Sequence, residues 1–456
     1  MGKTVLADEN IQNILSAISD KESFTPGLII GQPSEKKDFA IHAVATTKLL
    51  DDSSSTQCSV SDFGQIEESW LKIHLKNVTR SLSGGMYVLG LFIVGPKDIF
   101  ADKLNLQKVR SLINSIHSIS KSNIYLFGSN YLKNLIVLHF CSKSKKFQCK
   151  SFDVQNMSLS MSPVNWKFVN QPTTWYRIDC RYRLDSLLPY FSEKKQTFLK
   201  MSKEMLEYFK GNIDDCLYFI NGFTIKKSNM YTLEEIRGII IDRLGIEEKN
   251  KKTFAREGHK YLNVFKATMF KEEPWEDDVE QFEIIDAQGS IKFDGFISSK
   301  VFLHRSATIE EAINAIKEDL VRSFAARLDL HSDSLQEDSS NSENITHFLP
   351  RRVVVKHDAS GILFTDYMFP DDTKEDIVNS VKEQLGIEVT PELVIALENV
   401  QAKLNGLEND SLDNQKNENQ NAELVSSNNK PPNFIIYSLI GAFVVLIIST
   451  AVHFLM

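Results

Sequence analysis

The chain has 456 residues, of which 42% are hydrophobic and 25% are charged, so it is long enough for two folded domains and has the composition of a globular protein. Its formal net charge of −8 argues against nucleic-acid binding, which needs clustered Lys and Arg, whereas the basic runs at 143–146 and 249–252 are short. The cysteines number five and none is spaced Cys-x-x-Cys, so neither a disulfide framework nor a zinc ribbon is indicated. Reduced thiols are expected at Cys58, Cys141, Cys149, Cys180 and Cys216.

The first 165 residues alternate between strand-like and helix-like apolar patterns. Strands are predicted at 28–30, 39–45, 86–94, 135–141 and 147–154. Helical periodicity predicts helices at 11–18, 70–82 and 109–118. The Ser/Lys turn between the last two strands predicts a hairpin. These patterns indicate an N-terminal α/β domain that ends near residue 165.

Three helices in the second half of the chain share one pattern at their starts. Each begins with Thr and has an acidic residue three positions later, as in Thr232 and Glu235, Thr308 and Glu311, and Thr373 and Asp376. The hydroxyl and the carboxylate satisfy backbone N–H groups that a helix start leaves unpaired, so the pattern predicts helices from these points. Two of these helices are predicted to stop at Leu-Gly-Ile, at 244–246 and 385–387, because Gly suits a left-handed C-terminal cap. An internal duplication and independent use of the same caps both explain the similarity.

Strand-like runs accompany these helices at 291–297, 301–304 and 352–356. Residues 166–400 are therefore expected to form a second domain of the α+β class. Within it, the acidic and Ser-rich stretch 331–346 is expected to be a surface loop.

The C-terminal part of the sequence predicts a membrane anchor on a flexible tether. Residues 401–433 hold nine Asn and no apolar periodicity, which is typical of a linker that reaches about 30 Å as a random coil. Residues 434–456 contain no Asp, Glu, Lys or Arg and would span roughly 34 Å as a helix, enough for one bilayer crossing. The predicted anchor residues are Phe434, Ile435, Ile436, Tyr437, Leu439, Ile440, Phe443, Val444, Val445, Leu446, Ile447, Ile448, Val452, Phe454 and Leu455. We expect a tail anchor with the upstream bulk of the chain in the cytosol.

The membrane expected for this anchor is that of the endoplasmic reticulum. A mitochondrial outer-membrane anchor would carry basic residues just beyond a shorter apolar run, whereas here only Lys430 stands close upstream. With the bulk of the chain cytosolic, the Asn-x-Ser/Thr sequences are expected to be unglycosylated.

The sequence contains no local signature of a common catalytic site. Gly-x-Gly-x-x-Gly, Walker, His-Glu-x-x-His and Gly-x-Ser-x-Gly motifs are all absent. A metal site at His139 and Cys141, which lie on one strand face, is one interpretation, and packing of both residues into a core is the other. A hydrolase that uses Cys141, Cys149 or Cys216 with a distant His is an alternative, but nothing in the sequence indicates the nearby base or the lowered pKa that a nucleophilic Cys needs.

The segment "GGMYVLGLFIVGP" at 84–96 resembles a metalloprotease strand that has lost its metal ligands. Active JAMM metalloproteases of the MPN fold carry Gly-Trp-Tyr-His-Ser/Thr-His-Pro, with two His and an Asp binding Zn²⁺ and a Glu acting on the bound water. In the matching frame Ile93 and Gly95 occupy the two His positions, and neither can donate a lone pair to zinc. The Ser, Asp and Glu positions fall at Lys103, Leu106 and Phe24. A chance match in an apolar strand is the alternative.

Longer segments are similar to one known family. They are "PGLIIGQ" (26–32), "LSGGMYVLGLFI" (82–93), "LHFCSKSKKFQCKSFD" (138–153), "NWKF" (165–168), "TTWYRIDC" (173–180), "GSIKFDGFISSKVFLHRSATIEEAINAIKEDL" (289–320) and "LPRRVVV" (349–355). On these segments the chain is identified as a member of the odorant-response-abnormal-four family. The similarity runs over most of the chain, including the C-terminal span.

The resemblance implies an MPN-like, inactive N-terminal domain without a cofactor, and anchorage in the endoplasmic reticulum. It also implies pairing with the ubiquitin-fold-modifier-specific protease through that protease's own MPN-like domain. In nematodes the family helps odorant receptors reach sensory cilia, so membrane receptors are the implied cargo. We therefore expect a non-catalytic adaptor with an MPN-like domain at 1–165, an α+β domain at 166–400, a linker at 401–433 and a transmembrane helix at 434–456. A tail-anchored trafficking tether without a protease partner is the alternative.

Overall fold

The computed structural model describes the chain from Lys3 to Glu398 with internal gaps. The described residues are 3–18, 22–35, 37–49, 55–128, 133–155, 161–190, 195–224, 231–243, 263–271, 289–337, 345–357 and 360–398. All of them belong to one compact unit, residues 1–401. The linker and the transmembrane helix predicted for 401–433 and 434–456 lie outside the described residues. Within the described ranges, no helix has both the length and the hydrophobicity that a bilayer crossing requires.

The first part of the chain forms an eight-stranded mixed sheet and a separate two-stranded pair. The strands are β1 (Thr4–Asp8), β2 (Thr25–Gln32), β3 (Lys37–Ala45), β4 (Thr47–Leu49), β5 (Ser55–Gln57), β6 (Tyr87–Gly95), β7 (Asn134–Cys141), β8 (Phe147–Asp153), β9 (Ser162–Pro163) and β10 (Asn165–Val169). The helices are α1 (Glu9–Ile18), α2 (Glu68–Arg80), α3 (Lys103–Ser122) and α4 (Ile124–Phe127), with a 3-10 turn at Phe63–Gln65. The order across the large sheet is β10-β1-β3-β2-β6-β7-β8-β9, and β4 pairs with β5.

Both faces of the large sheet are buried at its centre. Along β2, Leu28 and Ile30 belong to one apolar cluster with residues of α2 and α3, whereas Ile29 belongs to another cluster with residues of α1. All eight residues of β2 are buried. Because both faces are covered, three consecutive apolar residues, 28–30, can all be buried in this strand.

The second part of the chain forms two further sheets. The strands are β11 (Trp175–Tyr190), β12 (Leu217–Ile220), β13 (Val264–Phe270), β14 (Gly289–His304), β15 (Ile345–Phe348), β16 (Arg351–His357), β17 (Ile362–Met368) and β18 (Val394–Ala396). The helices are α5 (Lys195–Asp215), α6 (Leu233–Arg243), α7 (Ile309–Glu337) and α8 (Lys374–Leu385), with a 3-10 turn at Pro391–Leu393. A five-stranded sheet has the order β12-β13-β11-β14-β15, and a three-stranded sheet has the order β17-β16-β18.

The three-stranded sheet shares its core with the first part of the chain. Val353 and Phe364 belong to the same apolar cluster as the residues of α2 and α3. The backbone N–H of Phe302 also donates to the carbonyl of Gly84 at 2.9 Å, which ties β14 to the segment before β6. One core therefore draws residues from both sides of position 165, and the domain boundary expected there stays a prediction.

The mixed α/β composition expected from the sequence is confirmed, and most predicted elements are present. The strand predictions of the first part correspond to β2, β3, β6, β7 and β8, and the helix predictions to α1, α2 and α3. The predicted hairpin is formed by β7 and β8, which pair antiparallel. The predicted stop of α8 is confirmed, because Gly386 adopts the left-handed conformation with φ 64°. The stop predicted at 244–246 lies outside the described residues.

The three predicted helix starts are confirmed together with their caps. The hydroxyl of each Thr accepts the backbone N–H of the acidic residue three positions later, and that carboxylate accepts the backbone N–H of the Thr. These reciprocal bonds satisfy backbone donors at the N-terminal ends of α6, α7 and α8.

Two predictions for the second part are wrong in detail. Residues 331–337, expected in a surface loop, form the last turns of α7, where His331 and Ser332 are buried. Burial of this end against the rest of the fold overrides the weak helix propensity of its Ser and Asp residues. The strands predicted at 291–297 and 301–304 are one continuous strand, β14, because buried partners satisfy the polar groups of Ser298 and Ser299 between them.

Candidate functional site

The pairing of β2 with β6 brings two of the predicted metal-site positions together. Thr25 is paired with Val94, so Phe24 lies beside Gly95. A Cβ atom added to Gly95 would lie 2.2 Å from Cδ1 of Phe24. The Phe24 ring therefore occupies the space that any side chain at position 95 would need, and only Gly permits this approach.

Two further positions predicted from the metalloprotease strand, Ile93 and Leu106, pack among apolar side chains, and a third, Lys103, does not. Ile93 is 1% exposed in the same apolar cluster as Phe24, which is 5% exposed. Leu106, in α3, is partly buried against this cluster, whereas Lys103 is exposed at the first residue of that helix. Phe24, Ile93 and Leu106 present only carbon and hydrogen, so this set has no lone pair to offer a metal ion.

Of the candidate ligands and nucleophiles suggested by the sequence, His139, Cys141 and Cys149 lie in the hairpin of β7 and β8, and Cys216 lies between α5 and β12. Among the described residues, no group of three or more His, Cys, Asp or Glu side chains is placed to hold a metal ion. His139 is 2% exposed, and burial lowers its pKa. Burial raises the pKa of the Cys149 and Cys216 thiols, which keeps them protonated at neutral pH. Burial also disfavours the Cys141 thiolate, but hydrogen bonds from Ser144 outweigh it and lower the pKa of Cys141.

A buried ion pair, which the sequence analysis did not identify, joins α7 to β16. Arg352 donates from Nη1 and Nη2 to the two carboxylate oxygens of Asp319, each at 2.8 Å. The hydroxyl of Ser299 donates to the same carboxylate at 2.7 Å. The Arg352 and Asp319 side chains are 1% and 0% exposed. Burial lowers the pKa of Arg352, but the adjacent carboxylate outweighs it and raises that pKa, so the guanidinium stays charged.

A second buried carboxylate holds the end of the described chain. Glu398 accepts the backbone N–H of Ser298 at 2.7 Å and that of Arg352 at 3.1 Å. It also accepts from Nη2 of Arg327 at 2.9 Å, and these two side chains are 2% and 0% exposed. Glu398 thus accepts three donors from three elements, and it ties β14, β16 and α7 together at one point.

Two buried histidines hold the C-terminal turn of α8. Nε2 of His42 lies 2.8 Å from the carbonyl oxygen of Leu385, and Nε2 of His74 lies 3.0 Å from that of Gln384. Burial lowers the pKa of each imidazole from 6.5 to about 4. Both side chains are therefore neutral at pH 7 and donate one hydrogen bond each to backbone carbonyls that a helix end leaves unpaired.

The sequence carried a signal for this network, although not for its pairing. Arg351 and Arg352 precede a run of three Val in a segment that reads as a buried strand. A charge within such a run needs a buried partner. The partner Asp319 lies 33 positions away in α7, and sequence spacing alone does not select it.

The described residues define a mixed α/β protein in which hydrocarbon fills the positions that resemble metal ligands. The family model described as "Odorant response abnormal 4-like" matches residues 27–396. The chain belongs to this family, which confirms the membership indicated by the sequence segments.

Curated relatives match most of the chain. The protein odr-4 homolog of Xenopus tropicalis is 26% identical over 398 residues, covering 85% of each chain. The human protein odr-4 homolog is 25% identical over 395 residues, covering 84% of this chain and 83% of its own. Odorant response abnormal protein 4 of Caenorhabditis elegans is 24% identical over 367 residues, covering 78% and 71%. None of these names specifies a catalytic activity.

Among solved structures, a crystal structure of UfSP from C. elegans has a TM-score of 0.42 with 10% sequence identity. The match covers 85% of this chain and 57% of the UfSP chain, so it spans less than two thirds of that structure.

Proposed function

We propose that this protein is a non-catalytic adaptor of the endoplasmic reticulum membrane. In this proposal it recruits the ubiquitin-fold-modifier-specific protease and assists the folding or trafficking of membrane receptors. The observation that carries the non-catalytic part is the Phe24 ring over Gly95, which leaves no room for a ligand side chain at position 95. Family membership supports the part that concerns receptors.

The proposal assigns a role to each part of the chain. Residues 1–165 form an MPN-like frame that pairs with the matching domain of the protease, and residues 166–400 complete the folded unit. The linker and the anchor at 401–433 and 434–456 keep this unit close to the bilayer. Confinement to a surface raises the effective concentration of a bound enzyme without any catalysis by the adaptor.

The direct test is complex formation between the full-length chain, purified in detergent, and the purified protease. We expect a stoichiometric complex in size-exclusion chromatography with light scattering. Deletion of residues 1–165 is unsuitable as a variant because this region shares its core with Val353 and Phe364. Surface substitutions are suitable instead, since Ile73 and Leu104 are 46% and 73% exposed within the proposed pairing domain.

The variant Ile73→Glu with Leu104→Glu is expected to weaken the complex at least about tenfold if these side chains meet the protease. Tyr208→Glu is the matched control, because Tyr208 is 73% exposed but lies in α5, outside residues 1–165. Failure of the unaltered chain to bind the protease would favour the alternative, a trafficking tether without a protease partner.

Membrane anchorage is tested separately. The full-length chain expressed in cells is expected to stay with microsomal membranes in alkaline carbonate, because a spanning helix resists extraction whereas a peripheral contact does not. Ile440→Arg with Val444→Arg and Ile447→Arg places three charges in the predicted span and should release the chain. Extraction of the unaltered chain would contradict the anchor.

A further inference from the structure

The last described strand is a short edge strand with little apolar anchoring. β18 has three residues and pairs with β16, which lies between β17 and β18 in the three-stranded sheet. Val394 is buried in the cluster that contains Phe24, whereas Ile395 is 49% exposed and Ala396 is exposed as well. An edge strand with one buried apolar side chain is expected to detach readily if nothing else holds it.

Polar contacts hold the two residues that follow β18. The backbone N–H of Leu397 donates to the carbonyl of Arg352 at 3.4 Å, and the hydroxyl of Ser298 donates to the carbonyl of Leu397 at 3.4 Å. The Glu398 carboxylate accepts the backbone N–H groups of Ser298 and Arg352 and Nη2 of Arg327. The segment is therefore fixed at its far end by a buried charge rather than by apolar packing.

Arg327 depends on this segment for its charge partner. Its guanidinium carbon lies 5.1 Å from the ring centroid of Phe293 and 5.7 Å from that of Tyr367. Among the described residues, Glu398 is the only carboxylate that pairs with Arg327, and the hydroxyl of Ser323 accepts from it at 3.1 Å. Because the Arg327 side chain is 0% exposed, water does not replace the carboxylate while the surrounding fold is closed.

Detachment of Glu398 therefore affects three elements at once. It leaves Arg327 in α7 as a buried cation without a carboxylate, and it removes the acceptor from the backbone N–H groups of Ser298 in β14 and Arg352 in β16. Fraying from this end would have to begin at Glu398, the residue with the strongest contacts. Once that residue has left, β18 and Val394 hold the rest only weakly, so the segment is expected to be either fully attached or fully detached.

The residues that follow lead to the predicted membrane span. Residues 399–433 separate Glu398 from that span, and as a random coil they would reach about 30 Å. A movement of the folded unit beyond this reach would pull on Glu398 before any other described residue. The strongest contacts of the segment thus lie at the residue on which such a pull acts.

We propose that residues 391–398 form a C-terminal latch, which opens and closes as one unit and joins the folded unit to its membrane tether. Closed, the latch fixes the point from which the tether leaves and completes the charge pairing of Arg327. Open, it lengthens the tether by its own length and leaves Arg327 without a carboxylate. Its role as a joint rests on the membrane anchorage included in the proposed function, whereas the two-state latch itself does not.

Hydrogen exchange of the full-length chain in detergent, resolved to single amides by electron-transfer fragmentation, tests the latch. The reporters are the amides of Leu397, Ser298 and Arg352, because the closed latch makes the hydrogen bond of each. A single opening event predicts protection factors that agree within about threefold for the three amides. Exchange at Leu397 at least about tenfold faster than at the other two would show fraying and overturn the proposal.

A matched pair of variants tests whether the buried charge holds the latch closed. Glu398→Gln removes the charge that pairs with Arg327, so exchange of the three amides should accelerate together by at least about tenfold. Exchange in α1 should not change, because its Ile11 and Leu15 pack in a separate cluster. Glu392→Gln is the control, since Glu392 is exposed in the same segment and the change in net charge is the same. It should alter the three rates by less than about twofold.

A double variant separates charge pairing from the loss of a single side chain. In Arg327→Met with Glu398→Gln no charge is buried alone, so exchange of the three amides should be at least about threefold slower than in Glu398→Gln. Equal rates in the single and double variants would overturn the proposal, as would equal effects of Glu398→Gln and Glu392→Gln.

The remaining outcomes distinguish the latch from global unfolding and from the anchorage. Acceleration of α1 by the same factor as the three amides would assign the opening to global unfolding and overturn the latch. Extraction of the unaltered chain by alkaline carbonate would contradict the anchorage, and with it the role of the latch as a joint to the membrane. Concerted exchange in such a chain would still support the latch as a two-state element of the fold.

Discussion

The Phe24 region and the Arg352 network lie at similar depth but are stabilised in opposite ways. Around Phe24, an aromatic ring fills the space over Gly95, and the neighbouring Ile93 adds only hydrocarbon. Around Arg352, a guanidinium and the carboxylate of Asp319 satisfy each other in an equally buried place. Removing one partner in the first region changes packing, whereas removing one partner in the second leaves a buried charge unpaired. The two regions should therefore respond differently to single and double substitutions.

The largest effect is expected for Arg352→Met. The substitution leaves the Asp319 carboxylate buried with Ser299 as its remaining side-chain donor, so the free energy of unfolding should fall by about 3–5 kcal/mol. Urea denaturation of the full-length chain in detergent, followed by tryptophan fluorescence, measures the change.

The double variant Arg352→Met with Asp319→Leu should recover a large part of this loss, because neither charge is then buried alone. Arg177→Met is the matched control, since Arg177 pairs with Asp179 near the surface and should lose less than about 1 kcal/mol. A double variant no more stable than Arg352→Met would show that packing, rather than charge pairing, dominates the network.

Acid titration tests the contribution of the two buried neutral histidines to stability. His42 and His74 have a pKa of about 4 in the fold against 6.5 as the ordinary value. Between these values the unfolded chain binds more protons, so their contribution is complete above pH 6.5 and falls as the pH is lowered towards 4, by up to about 3 kcal/mol for each His. The slope of unfolding free energy against pH, from denaturant titrations, measures this contribution.

Asp366 should change stability in the opposite direction over part of the same range. Burial raises its pKa from 3.8 to about 6, so between these values the folded chain binds more protons than the unfolded chain. The stability that this proton contributes is therefore lost as the pH rises towards 6. Asp366→Asn should therefore steepen the acid loss, while His42→Gln should flatten it. An unchanged slope in His42→Gln would contradict the buried neutral state of that side chain.

An intermediate effect is expected for Gly95→Ala in the Phe24 region. The new methyl group would meet the Phe24 ring, so the free energy of unfolding should fall by about 1–3 kcal/mol. In a Phe24→Ala background, which is itself destabilised by the cavity, the same substitution should have little further effect. Thermal or urea denaturation of the four chains completes the cycle.

Gly211→Ala is the matched control, because a Cβ at Gly211 in α5 meets no atom within 4 Å. This substitution should be neutral or stabilising by roughly 0.5–1 kcal/mol through helix propensity. Equal losses for Gly95→Ala with and without the Phe24 ring would contradict the close packing of the two residues.

The sequence predicted local features well and long-range pairs poorly. Thr373 and Asp376 are three residues apart, and their cap could be predicted because both partners lie in one turn. The pairing of Arg352 with Asp319 depends on how α7 lies against β16, which no local pattern specifies. At the candidate site, the resemblance identified Phe24 and Gly95 as positions of interest. Their contact depends on the register of β2 against β6, which the sequence alone does not specify.

The smallest effect is expected for Thr373→Ala, and it sharpens the comparison between the two regions. Loss of the cap should destabilise α8 by about 1 kcal/mol, whereas Thr373→Ser should retain it. Ile377 and Leu385 of this helix pack in the Phe24 cluster, while the Arg352 network uses none of its residues. Hydrogen exchange should therefore accelerate in α8 in Thr373→Ala and leave α7 around Asp319 unchanged, because Ile316 and Leu320 beside Asp319 pack in a different cluster. Faster exchange in both elements would mean that the apolar region and the ion network open together, despite their different chemistry.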